Sequence, residues 1–265
     1  MAAGEDDERL RLFENRRRAG SFGEAADDYD EYRPTYPDEM VQRLLSDGPV
    51  HVLDVGCGTG ITTRLFAACG CEVLGVEPDP RMAAVARRRG STVDDGNFET
   101  WEHGDRRFDL LVAGQAWHWV EPHAGARQAA AVLRPGGRIG LFWNSSFPEG
   151  EARQAIDAVY HEVAPELAAG AIVFGRGDDL MYEAVAHTLR TDGGFVDVSV
   201  EQYAHDVAYT TSQWLGLVNT HSDHRTMPDD ARERLFAALR PAIDGAGGQV
   251  PMRYTTTLVT GRTPG

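Results

Sequence analysis

Lysine is missing from this chain: all 26 basic residues are arginine. Enzymes that work through a lysine amine are therefore excluded, among them Schiff-base and pyridoxal-phosphate enzymes and nucleotide hydrolases with a Walker lysine. Cysteine is scarce. The three present, at 57, 69 and 71, cannot build a disulfide framework. Cys69 and Cys71 flank a helix end and a strand start, which suits buried packing better than metal ligation. No apolar run approaches the ~18 residues that span a bilayer. The opening MAAGEDDERLRLFENRRR has no apolar stretch of an export signal. These absences predict a cytoplasmic protein with no membrane partner. Positive charge is also short, 26 bases against 41 acids, for a net charge of −15. Such a field holds off polyanions, so no nucleic-acid partner is expected, whereas a cationic ligand is favoured.

What is present is organised around residues 50–60, VHVLDVGCGTG. Val50, Val52, Leu53 and Val55 form the short apolar, β-branched run of a strand buried on both faces of a parallel sheet. A glycine turn follows, then ITTRLFAAC as a helix. Ligands of doubly wound α/β folds bind at such strand ends. Gly56, Gly58 and Gly60 lower the steric wall there. A dinucleotide site wants G-x-G-x-x-G with pyrophosphate on the helix N-terminus; here the third glycine comes one residue early. Asp54 places a carboxylate before the turn, unwelcome to a pyrophosphate and welcome to an ammonium group. Spacing and charge favour S-adenosylmethionine, with a dinucleotide and a purely structural turn as alternatives.

The rest of the chain extends this unit. Tyr29, Tyr32 and Tyr36 surround Arg33-Pro34, and Pro37 opens a helix with Met40, Val41, Leu44 and Leu45 on its apolar face. The tyrosine-rich segment either covers the ligand or forms a surface turn. The second strand, CEVLGVE, ends at Glu77, a carboxylate suited to both hydroxyls of an adenosine ribose. Pro78 and the helix DPRMAAVARRRG with Met82 follow, closed by Gly90. STVDDGNFETW supplies a short third strand and a loop in which Asn97 and Phe98 suit an adenine edge and face, or in which Phe98 plugs the core. FDLLVAGQAWHWV is the fourth strand, delivering Gln115, Trp117, His118 and Trp119 to the substrate side. An Ala-rich helix stopped at Pro135-Gly136-Gly137 precedes the fifth strand, RIGLFWN, ending at Asn144. Residues 146–194 are expected to be mainly helical, 195–210 a strand pair or one bent strand, and 211–248 helical with a break near 220–228. VPMRYTTTLVTGRT closes the chain as a strand. One domain over 1–265 is the economical arrangement: 1–49 a helical or lid segment, 50–145 the cofactor core, 146–265 the helical elaboration and closing strands.

VLDVGCGTG, Glu77 after VLGVE, and LRPGGRIGLFW together resemble the class I S-adenosylmethionine-dependent methyltransferases. YDEYRPTYP, FDLLVAGQAWHWV and YTTTLVTGR look like their small-molecule branch, which includes trans-aconitate methyltransferase. The resemblance implies a Rossmann-like seven-stranded sheet with the last strand antiparallel and helical insertions after strands 5 and 6. It implies that Gly56, Cys57, Gly58 and Gly60 receive the methionine part, Glu77 the ribose, Asn97 and Phe98 the adenine, and Gln115 the methionine end. Tyr32 and Arg33 then contact the cofactor carboxylate or the substrate. Asp54, Pro78 and Met82 complete the cofactor set; Tyr36, Trp117, Trp119 and Asn144 bound the acceptor. The Asn/Asp-Pro-Pro-Tyr stretch of amide methyltransferases is replaced by Gln115-Ala116-Trp117-His118.

In-line methyl transfer needs positioning above all, and a base only when the acceptor arrives protonated. His118 is the first candidate base, against a structural role, and His221 the second. His221 and His224, three apart, lack an evident third ligand, so no metal is expected. A non-catalytic or repurposed cofactor binder of the same fold and a nicotinamide oxidoreductase are the rival readings. The expected partner is a small methyl acceptor, with S-adenosylhomocysteine as product and a monomer or homodimer as the assembly.

Overall fold

The computed structural model describes residues 26–169 and 179–265; the expectation for residues 1–25 lies outside them. The first helices are α1 (Ala26–Tyr32) and α2 (Asp38–Leu45). Asp38 and Glu39 sit in the first turn of α2, where the helix dipole favours acids, and Met40, Val41 and Leu44 are buried. Strands and helices then alternate: β1 (His51–Val55), α3 (Ile61–Ala68), β2 (Glu72–Glu77), α4 (Pro80–Arg88), β3 (Thr92–Asp95), β4 (Phe108–Gly114), α5 (Pro122–Val132) and β5 (Leu133–Pro148). Helix α4 starts on an Asp79 cap, whose carboxylate accepts from the Arg81 N–H at 2.9 Å, with Pro80 at the first helical position.

After β5 come α6 (Gly150–Val163), α7 (Pro165–Ala169) and α8 (Asp179–Thr191), then β6 (Val196–Thr210). Helices α9 (Thr211–Asn219), α10 (Ser222–Arg225) and α11 (Asp229–Gly245) separate β6 from β7 (Gln249–Arg262). The seven strands lie in the order β3-β2-β1-β4-β5-β7-β6. Strands β1 to β5 pair in parallel, and β7 enters antiparallel between β5 and β6. This is the doubly wound, Rossmann-like sheet with a reversed last strand.

One boundary differs from the sequence reading. β5 begins at Leu133, ahead of the Pro-Gly-Gly, where it pairs with Phe108 of β4, and runs on to Pro148 because β7 pairs with it from Arg138 to Pro148. Of the two arrangements expected for 195–210, the structure has one strand, with a register irregularity between Val196 and Ser199. Helices cover both faces of the sheet. One core joins β1, β4 and β5 to α5 and α8 through Leu111, Leu141, Ala129 and Leu189; the other joins them to α2 through Val52, Phe142 and Leu44. A third, centred on Trp214, Leu235 and Ile156, ties α9, α11 and α6 over the amino half of β7.

Candidate active site

A cavity of about 400 Å³ opens at the carboxyl ends of β1, β2, β4 and β5, within the range that holds a cofactor-sized ligand. Its floor is the glycine turn. Gly56 and Gly58 adopt φ of 65° and 56°, a region in which a side chain is strained. A Cβ on Gly56 would stand 2.6 Å from that of Ala116. The Gly58 N–H donates to Glu77 Oε2 and the Asp79 N–H to Oε1, both at 2.9 Å. Burial still pushes the Glu77 carboxyl up to about 7 against those two donors. Cys57, Pro78, Met82, Asn97 and Phe98 line the same half of the cavity. Phe98 lines the cavity and also packs into the core, on Trp117 with ring centres 5.9 Å apart.

Two members of the turn stand elsewhere. Asp54, fully buried, does not line the cavity. Its Oδ2 accepts from the Thr63 hydroxyl at 2.6 Å, and its Oδ1 has no hydrogen bond. Burial, with Glu77 nearby, raises its carboxyl to about 7. Asp54 therefore reaches a ligand through its field alone, from behind the turn. Gly60 is also off the wall: at φ 85°, a Cβ there would meet Ser91 Oγ at 2.7 Å, so this glycine seats α3 against α4.

At the far side, Gln115 takes φ 56°, donates its N–H to the Phe142 carbonyl and its Nε2–H to that of Asn144, each at 2.9 Å. Tyr36 stands edge-on to Phe142 at 4.5 Å, and Tyr36, Trp119 and Asn144 line the cavity as expected. Trp117 does not. It is 3% exposed within the core around Phe98 and Ala126, because the single 3₁₀ turn at Trp117–Trp119 sends it opposite to its neighbours.

His118 lines the cavity, and its Nδ1 accepts the Trp143 indole N–H at 3.1 Å. An indole only donates, so the neutral ring carries its proton on Nε2. His118 would therefore have to break the Trp143 bond to take up a proton on Nδ1.

Tyr32 is corrected as well: its ring lies over Gly216 of α9, where an added Cβ would approach within 2.7 Å. Tyr29, one turn earlier, lines the cavity instead. Arg33 lines it too, stacked 4.8 Å over the Tyr29 ring and held to Thr220 by Nε (2.9 Å to Oγ1) and Nη2 (3.1 Å to the carbonyl). Sequence reasoning missed Thr59, Thr62, Leu217, Asp223 and Tyr254 on the wall. The signal for Asp223 was there: an acid between two histidines already singled out.

Donor atoms of His221, Asp223 and His224 fall within 4.8 Å of one another. Both nitrogens of His224 are engaged, Nδ1 with Asp223 Oδ1 at 2.8 Å and Nε2 with the Tyr160 hydroxyl at 2.7 Å. The cluster is a hydrogen-bonded relay in which His224 has no lone pair to offer an ion.

A parallel sheet with one reversed strand, a glycine turn and a buried acid at the end of β2 define the class I methyltransferase fold. Residues 53–141 match the model of the methyltransferase domain family. It is 42% identical over 128 residues to an uncharacterised methyltransferase of Mycobacterium tuberculosis, covering 47% of this chain and 52% of that one. To trans-aconitate 2-methyltransferase of Mycobacterium ulcerans it is 33% identical over 107 residues, 40% of each chain. The chain thus matches about half the length of these curated relatives or less. A structure assigned as a type II methyltransferase from Anaeromyxobacter dehalogenans superposes with a TM-score of 0.63 at 20% identity, covering 88% of this chain and 100% of that one.

Proposed function

We propose that this chain is an S-adenosylmethionine-dependent methyltransferase acting on a small molecule. The observation that carries this reading is Glu77, clamped by the Gly58 and Asp79 N–H groups beside a bare glycine floor. Each oxygen keeps a lone pair for one ribose hydroxyl. The cofactor's fit is supported by three features. The glycine floor has no Cβ to fill it, Asp54 and Glu77 favour a cation and repel a diphosphate, and the Thr59 hydroxyl on the cavity wall is a buried polar atom without a partner.

In this reading Gly56, Cys57 and Gly58 hold the methionine part, Asn97 and Phe98 the adenine, and Gln115 the methionine end. When bound, the sulfonium supplies an electrophilic methyl group. The chain's own task is to hold an acceptor in line with it and exclude water, which can contribute several kcal/mol. Tyr36, Trp119 and Asn144 bound the space left for a small acceptor. Arg33, fixed by Thr220 and Tyr29, is the cation for a carboxylate on cofactor or acceptor.

Calorimetry decides the cofactor. S-adenosylmethionine and S-adenosylhomocysteine should bind and NAD(H) should not. Glu77→Ala should weaken both by at least about tenfold, the loss of hydrogen bonds to a charged group. Unchanged affinity in Glu77→Ala, or NAD(H) binding in their place, would remove the proposal. Methyl transfer to a panel of small acceptors, read by mass, then tests the activity.

A further inference from the structure

We infer that His221 is the proton acceptor for a protic methyl acceptor, and that Asp223, His224 and Tyr160 form a buried relay positioning it. The inference rests on the proposed methyl transfer, and starts from how unusual this wall is. His224 is fully buried and Tyr160 is 2% exposed, in a helix junction otherwise built from Trp214, Leu235 and Ile156. A polar pair placed there must be fully hydrogen-bonded or it costs stability. It is: Asp223 Oδ1 accepts both the backbone N–H and the Nδ1–H of His224, at 2.9 and 2.8 Å. With the proton on Nδ1, the Nε2 lone pair accepts the Tyr160 O–H at 2.7 Å. Every donor has one acceptor, with His224 neutral and Asp223 ionised.

The consequence lies at the cavity. Asp223 and His221 both line it, and the rings of His221 and His224 meet edge to face at 6.2 Å. Donor atoms of His221 and Asp223 lie within 4.8 Å of each other, so the carboxylate that holds His224 also neighbours the His221 ring. Although burial alone would raise the Asp223 carboxyl, the two hydrogen bonds it accepts from His224 hold it below the ordinary carboxylate value. Attraction between two charges is reciprocal, so a proton arriving on His221 is stabilised by Asp223. His118, the other histidine on the wall, has its Nδ1 occupied by Trp143.

In the step, the acceptor's lone pair forms the new bond to the methyl carbon while the former carbon–sulfur pair stays on sulfur. The acceptor's proton passes to the His221 imidazole and from there to solvent. The titratable groups lining this wall beside His221 are Asp223 on the same segment, with His224 buried behind it, Tyr29 from α1, Arg33 directly after α1, and Tyr254 from β7. Arg33 opposes protonation of His221; Asp223 is the neighbouring anion that favours it.

The test is an imidazole titration by NMR on the ligand-free protein, with His221 assigned from its loss in His221→Gln. Asp223→Asn should lower the His221 midpoint by about one pH unit, the effect of removing one nearby opposite charge. A midpoint unmoved by Asp223→Asn overturns the inference. Should that variant not fold, the wild-type ¹⁵N shifts decide alone: His224 must be neutral with its proton on Nδ1, and a proton on Nε2 would sink the relay. On an acceptor found by mass, His221→Gln should lower kcat about a hundredfold or more while S-adenosylhomocysteine affinity stays within about twofold. Wild-type kcat in His221→Gln overturns the inference. Failure of S-adenosylhomocysteine to bind removes the proposed function instead, and is read separately from the titration.

Discussion

Asp54 precedes the glycine floor in the chain and Glu77 meets it through the Gly58 N–H, and burial raises both carboxyls from their ordinary values to about 7. Their protons are held by the folded, ligand-free protein between about pH 4, where the unfolded chain releases them, and pH 7. The stability they contribute is therefore present at low pH and lost as the pH rises through 7. A cationic ligand reverses the preference, because it favours the ionised pair. S-adenosylmethionine should accordingly bind more tightly at pH 8 than at pH 6, with proton release on binding, as calorimetry in buffers of differing ionisation enthalpy will report. Asp54→Asn should flatten that dependence. Glu77 was legible in the sequence because an acid at a strand end, seventeen residues beyond a glycine turn, has a geometric meaning. Asp54 was legible as an acid but not as a buried one: alternation along β1 does not say that Thr63 closes over it. Trp117, His118 and Trp119 show the same limit, since the 3₁₀ turn that sorts them inward or outward has no signature in composition.

Among elements, the clasp between α1 and α9 decides whether the cavity has a roof. Arg33 is hydrogen-bonded to Thr220 across 187 residues of sequence, and Tyr32 rests on Gly216. Gly216→Ala would gain up to about 1 kcal/mol of helix propensity. The added methyl, however, stands 2.7–2.8 Å from three carbons of the Tyr32 ring, and such overpacking costs about 1–3 kcal/mol. The expected outcome is a lower melting temperature together with weaker S-adenosylhomocysteine binding. Gly245→Ala, at the end of α11 with nothing within 4 Å of its added Cβ, should leave both unchanged or slightly improved. The strand–helix alternation from 50 to 144 could be read directly, because each strand there is a short buried run between turn residues. The clasp could not: the glycine that admits Tyr32 sits in an ordinary helical pattern, and nothing local pairs it with a tyrosine near the other end. Tyr29, on the wall in place of Tyr32, was missed for that reason.

At the scale of the whole molecule, the two halves of the sheet are joined at the amino end of β5. Arg138, 5% exposed, donates twice to Asp47, at 2.9 and 2.6 Å, and Arg262 of β7 reaches the same carboxylate. Burial would raise Asp47, but the two arginines hold it below the ordinary carboxylate value. Its contribution is present above pH 3.8 and lost as the pH falls further. Asp47→Asn should lower the urea midpoint, by less than the ~3–5 kcal/mol of a fully buried pair, because Asp47 is 42% exposed. With Asp54 and Glu77 acting in the opposite sense, the ligand-free protein should be most stable on the acid side of neutrality, as melting temperatures from pH 4 to 8 will show. The insertion of β7 between β5 and β6 carries one more consequence. On the ribosome β6 has no strand to pair with until residues 249–262 have emerged, so the half of the cavity that Tyr254 lines is assembled only after β7 has been synthesised.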